Sequence, residues 1–203
     1  MSKNRKDTRR RSGGRTRIPT PESLAAAAVR YLSRYATSEA NLRRVLKNSI
    51  RRAAAADGGF ARDREAQRKL LNVIDSLIEK HRKSGALDDS AYAAAKADSL
   101  RRTGHSAKII ALRLKRDGIA DSIISSVLSQ EKTIAGKAEL SAALAFAKRK
   151  KIGLFRLSRP QEEKATERSL LLRREFAAME RAGFSYDTAR EILGGETEIG
   201  TDD

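Results

Sequence analysis

Apolar residues recur at helical spacing between residues 19 and 194. Leu42 and Leu46, Ile74 and Ile78, Ile110 and Leu114, and Ile124 and Leu128 each stand four positions apart, so each pair shares one helix face. No β-branched stretch alternates with period two, and the helix formers Ala, Leu, Arg, Lys and Glu dominate. The pattern predicts an all-α protein. Capping chemistry marks the boundaries: Thr20-Pro21 puts a cap ahead of a proline at the first helical position, Ser38, Asp89, Ser106, Asp121 and Ser185 are N-cap candidates, and Gly85, Gly104, Gly118, Gly183 and Gly194 stand where helices should stop. About nine helices follow, over 22–35, 39–54, 64–83, 89–103, 107–117, 121–131, 135–151, 161–182 and 186–193.

These helices repeat. Arg34, Ser38, Leu42 and Leu46 return as Arg102, Ser106, Ile110 and Leu114, each 68 positions later, while Val73, Ile74, Leu77 and Ile78 return as Ile123, Ile124, Val127 and Leu128 after 50. The first copy therefore holds an 18-residue excess, assigned to 51–68 around the Asp57-Gly58-Gly59 break. In a third copy, Leu114, Gly118, Ile119, Val127 and Leu128 reappear 65 positions on as Met179, Gly183, Phe184, Ile192 and Leu193. Tyr92 pairs with Phe146 at an offset of 54, with Tyr31 read as their equivalent in the first copy, which leaves an addition of 11 residues around 152–162. The arithmetic predicts three tandem three-helix modules, 19–85, 86–132 and 133–194, between a disordered basic arm, 1–18, and a disordered acidic tail, 195–203. Each module holds few large apolar residues, so neighbours are expected to share cores in an elongated, curved array that offers a long face to a partner.

Composition narrows the partner. Among 203 residues, 43 Lys+Arg face 26 Asp+Glu, a formal charge of +17, which points to a polyanion or an acidic protein. The arm holds +7 of this, with Asp7 its only acid. The lack of cysteine excludes a disulfide framework, thiol catalysis and Cys-ligated zinc. No run approaches ~18 apolar residues, and the N-terminal stretch has no secretory apolar segment, so the reading is an intracellular, cytoplasmic chain without a membrane span.

Catalytic motifs are weak. Asp88-Asp89 after Leu87 reads better as helix capping than as a carboxylate pair. His81 lies among Lys80, Arg82 and Lys83 with no recurring carboxylate nearby, and His105 stands in an interhelix turn that favours solvent exposure over catalysis, so neither reads as a general base. Gly58-Gly59 and Gly194-Gly195 lack the surroundings of a phosphate-cradling loop. No catalytic residue, metal or cofactor is expected. The basic segments carry more: Arg34, Arg101, Arg102, Lys108, Arg113, Lys115, Arg116 and the run Lys148, Arg149, Lys150 and Lys151 are the candidate contacts to a partner or to DNA phosphate. A base-reading helix-turn-helix is disfavoured, since Ala107, Lys108, Ile109 and Ile110 follow Ser106 and look like core. Tyr31, Tyr92, Phe146 and Phe184 are likewise read as core rather than a base-stacking platform.

The order of these motifs resembles the RecX family. The resemblance rests on Gly85-Ala86-Leu87-Asp88-Asp89-Ser90-Ala91-Tyr92-Ala93, Arg101-Arg102-Thr103-Gly104-His105-Ser106 and Leu114-Lys115-Arg116-Asp117-Gly118-Ile119 in the second module. Tyr31-Leu32-Ser33-Arg34 with Ser38-Glu39 and Leu42, and Ala182-Gly183-Phe184-Ser185-Tyr186-Asp187 with Ile192-Leu193, extend it over 22–194. Where many members carry Gly-x-Gly-Pro followed by Arg-Ile, this chain has Gly104-His105-Ser106-Ala107-Lys108-Ile109, and Lys108 stands in for the arginine charge. The resemblance implies a regulator, mainly an inhibitor, of the recombinase RecA. It would bind the RecA filament on single-stranded DNA and limit its growth, ATP hydrolysis, strand exchange and co-protease activity in DNA repair and the SOS response. The alternative is an independent, sequence-nonspecific nucleic-acid-binding or architectural protein. A monomer with weak nonspecific DNA binding is expected.

Overall fold

The computed structural model describes residues 17–134, 136–156 and 165–194. Among them are ten α-helices and no strand: α1 Pro21–Leu32, α2 Glu39–Ala56, α3 Gly58–Arg62, α4 Arg64–Lys83, α5 Asp89–Arg102, α6 Ala107–Arg116, α7 Asp121–Ile134, α8 Gly136–Lys150, α9 Ala165–Arg181 and α10 Tyr186–Leu193, with a 3-10 turn at Gly153–Phe155. The expected basic arm, apart from Arg17 and Ile18, the acidic tail and most of the addition placed near 152–162 lie outside the described residues.

The chain divides into two compact units, one comprising residues up to Tyr35 with Leu42–Ser84, the other Ala36–Asn41 with Gly85 onward. In the first unit the predicted helical stripes form the core. Leu24 and Ala28 of α1, Leu46 and Ile50 of α2, and Ile74 and Ile78 of α4 are buried, each large one stabilising by ~1.5–3 kcal/mol. The chain breaks as expected at Asp57, which is extended at φ −129° and ψ 109°, but Gly58-Gly59 correct the expectation in part, because they open a short helix, α3. The Asp57 carboxylate accepts the Phe60 N–H at 2.8 Å, Phe60 is buried, and the Gln67 side-chain amide donates to the Phe60 and Ala61 carbonyls at 2.7 and 3.1 Å. Asp63 then caps α4 through the Ala66 N–H at 2.8 Å. Two capped ends and one buried ring outweigh the glycine penalty in so short a helix.

Several predicted boundaries shift for local reasons. Helix α1 stops at Leu32 with Ser33 as its C-cap, short of residue 35. Asp88, not Asp89, caps α5, accepting the Ser90 and Ala91 N–H groups at 2.8 and 2.9 Å. Asp121 is the first residue of α7 rather than its cap. Gly194 ends α10 at φ −89°, outside the left-handed region.

The second unit holds two clusters, one around Ala93, Ala97, Ile110, Leu114 and Ile119, the other around Ala143, Phe146, Ala147, Met179 and Phe184. Four helices end in the same turn: the carbonyls of Leu100, Leu114, Ala147 and Met179 accept the N–H five residues on, from His105, Ile119, Ile152 and Phe184, each at 3.1 Å. The residue before each donor is left-handed: Gly104, Gly118 and Gly183 at φ +77°, +83° and +82°, and Lys151 at +56°. Tyr92 stands in the first turn of α5, whereas Tyr31 and Phe146 lie toward the ends of α1 and α8. The three aromatics are therefore not at equivalent positions. The fully buried Ala93 and Ala97 match the fully buried Ala143 and Ala147 at an offset of 50, which replaces 54 between α5 and α8.

Candidate partner interface

One cation from each of three helices of the second unit, Arg101 of α5, Arg113 of α6 and Arg149 of α8, bears on the turn between α5 and α6. Helix α5 ends in Arg101 and Arg102, α6 in Arg113, Lys115 and Arg116, and α8 in Lys148, Arg149 and Lys150. Cations are favoured there because unpaired carbonyls give each helix C-terminus a partial negative charge. Ser106 opens α6: its hydroxyl accepts the Ile109 N–H at 3.4 Å and donates to the Ala182 carbonyl at 2.7 Å. The Glu139 carboxylate, in the first turn of α8, accepts the Ala107 N–H at 3.2 and 3.3 Å and pairs with the Arg101 guanidinium. Arg149 reaches back from α8 to donate to the Thr103 carbonyl and lies 5.5 Å over the Phe146 ring.

His105 sits inside this knot. Its Nδ1 is 3.1 Å from the Leu100 carbonyl and 3.0 Å from the Thr103 hydroxyl. Burial holds its pKa below the ordinary value, the charges of Arg113 and Arg149 act in the same direction, and the Leu100 carbonyl bond opposes them. Arg101, Arg113 and Arg149, from three different helices, thus bear on one turn.

The remaining predicted cations divide by partner. Arg101 is 12% exposed and is committed to Glu139, so its side chain holds the fold together rather than standing in solvent. Arg102 pairs with Asp98 at 3.1 Å and Lys115 with Asp121 at 3.2 Å. Lys108, Arg116, Lys148, Lys150 and Lys151 are exposed. Arg34, also exposed, belongs to the first unit. Among the motif residues, Leu87, Ile119 and Phe184 are buried. Asp89 accepts the Glu39 N–H at 2.9 Å, while the Tyr92 hydroxyl donates to the Asp117 carboxylate at 3.0 Å, with Lys96 3.6 Å from the same carboxylate.

Sequence reasoning missed two carboxylates. Glu175 is almost fully buried and receives a two-pronged Arg156 guanidinium, whose Nη2 donates to both carboxylate oxygens at 2.9 Å and whose Nε donates to Oε1 at 3.3 Å. Glu139 stands 50 positions after Asp89, and that offset was the available signal for it. Among the described residues no cluster of three His, Asp or Glu could hold a metal ion, and no helix is long and apolar enough to cross a membrane.

The fold and the site define an all-α protein whose candidate chemistry is electrostatic, carried by cations at helix C-termini. A Regulatory protein RecX from Myxococcus xanthus is 32% identical over 179 residues, which are 88% of this chain and 88% of the relative. The chain belongs to the RecX family. A Regulatory protein RecX from Agrobacterium fabrum is 30% identical over 117 residues, 58% of this chain and 56% of its own. A crystal structure of regulatory protein RecX has the same fold, with a TM-score of 0.55 at 23% identity over 87% of this chain and 74% of that one. No family model matches the chain.

Proposed function

We propose that this protein regulates RecA, mainly as an inhibitor, by binding the RecA filament on single-stranded DNA and limiting its growth, ATP hydrolysis, strand exchange and co-protease activity. Membership of the RecX family, on identity of 32% across 88% of the chain, carries this reading. Exposed cations on α6 and at the end of α8 support an electrostatic route. Exposed Lys108, Arg116, Lys148, Lys150 and Lys151 meet acidic RecA surface or filament phosphate, and release of counterions contributes to binding. The helices act as three tandem three-helix modules, 19–85 with an inserted segment 51–68 that holds α3, 86–132 and 133–194, in a cytoplasmic monomer that binds rather than catalyses.

The test is RecA ATPase on single-stranded DNA with substoichiometric protein. Inhibition with shortened filaments is expected; an unchanged rate and unchanged filament length overturn the proposal. The net charge of +17 favours one rival, a nonspecific DNA binder that only competes for DNA. Charge-driven DNA binding falls steeply with salt. Retention of RecA without DNA, at a salt concentration that abolishes DNA binding, is expected here and is not expected of the rival.

A further inference from the structure

One set of contacts occurs twice in the second unit. Ser38 caps α2, accepting the Asn41 N–H at 3.2 Å and donating to the Asp117 carbonyl at 2.5 Å. The next amide, Glu39, donates to the Asp89 carboxylate at 2.9 Å. Ala40 is packed so closely that a Cβ on Gly118 would lie 2.3 Å from the Ala40 Cβ. Sixty-eight positions on, Ser106 caps α6 and donates to the Ala182 carbonyl, Ala107 donates to Glu139, and Lys108 Cβ lies 3.2 Å from where a Cβ on Gly183 would stand. Each clamp thus joins the start of one helix to two later elements: the carbonyl ahead of a left-handed glycine, and a first-turn carboxylate. The acceptors are displaced by 65 and 50 positions, the offsets of the chain's own repeat.

The two clamps differ at the acid. Asp89 is one methylene shorter than Glu139, and Glu139 also holds Arg101, whose side chain is 12% exposed. Arg113 and Arg149 bear on the same turn. We propose that Glu139 is a positioning residue: by bridging the α6 N-terminus and Arg101, it fixes α8 against α6 and so sets where Lys148, Lys150 and Lys151 stand relative to Lys108 and Arg116. This rests on the RecA-regulating reading for its functional consequence, but the geometric consequence can be measured without RecA.

The chain has no cysteine, so spin labels at Leu112→Cys on α6 and Leu144→Cys on α8, both exposed leucines, report one distance. The parent is expected to give a single narrow distribution. Glu139→Gln, which keeps the side-chain length but loses the charge, is expected to broaden or displace it and to weaken binding to the RecA filament by about tenfold. Arg101→Gln/Glu139→Gln leaves no unpaired buried charge and tests the clamp if the single variant unfolds; its distribution is expected to stay broadened. Parent-like distributions in the folded variants overturn the proposal. A parent protein that does not affect RecA overturns the functional reading alone, since the distance result stands independently of it.

Discussion

Replacing Gly104 by alanine, beside the same change at Gly85, separates backbone strain from close packing. Both glycines are left-handed, at φ +77° and +74°, so both variants bear the ~1–2 kcal/mol that an L side chain costs in that region. They differ in what the new methyl would meet. At Gly85 nothing lies within 4 Å, whereas at Gly104 it would stand 2.5 Å from the Phe146 backbone nitrogen and 2.9 Å from its Cα. A flexible side chain could turn away, but the α8 backbone can yield only by moving the helix, and overpacking of this kind costs ~1–3 kcal/mol. Gly104→Ala should therefore be about 2 kcal/mol less stable than Gly85→Ala. At about 2–4 °C per kcal/mol for a chain of this size, its melting temperature should lie about 4–8 °C lower in thermal unfolding followed by circular dichroism. Equal melting temperatures would show that α8 does not press on this turn and would refute the packing described for it.

Other expectations follow from individual contacts. Arg156→Ala leaves the Glu175 carboxylate buried without its counter-charge, so denaturant unfolding should show a loss of about 3–5 kcal/mol, and Arg156→Lys should recover only part because an ammonium cannot form the two-pronged pair. His105 has a folded pKa below its ordinary value of 6.5, so the unfolded chain binds more protons. Its contribution to stability is present above about pH 6.5 and is lost as pH falls toward the folded value; in melting experiments from about pH 7.5 to 5.5, His105→Asn should flatten that decline. Charge reversal of Lys148, Lys150 and Lys151 should relieve RecA inhibition more than reversal of Arg102 and Lys115, which already have acidic partners; equal effects in the RecA ATPase assay would remove the α8 end from the interface.

What neighbouring residues decide was legible along the chain. The bounds of α4 and α10, the caps at Thr20, Ser38, Ser106 and Ser185, and the left-handed turns at Gly104, Gly118 and Gly183 are settled within a few residues by periodicity and backbone hydrogen bonding. The correspondence of Ser38 with Ser106 was visible for the same reason, since both do the same local work. At α3 a second local rule, Asp capping, prevailed over Gly-Gly, helped by the burial of Phe60. The roles of the charges came from the packing of distant helices. Arg101 and Lys148 are alike in sequence, basic residues near helix ends, but one is held by Glu139, 38 positions away, and the other is exposed. Asp89 likewise serves a helix that begins 50 positions earlier. A charged side chain is free or committed according to what lies within hydrogen-bonding reach, and here that distance is set by the packing of separate helices against one another.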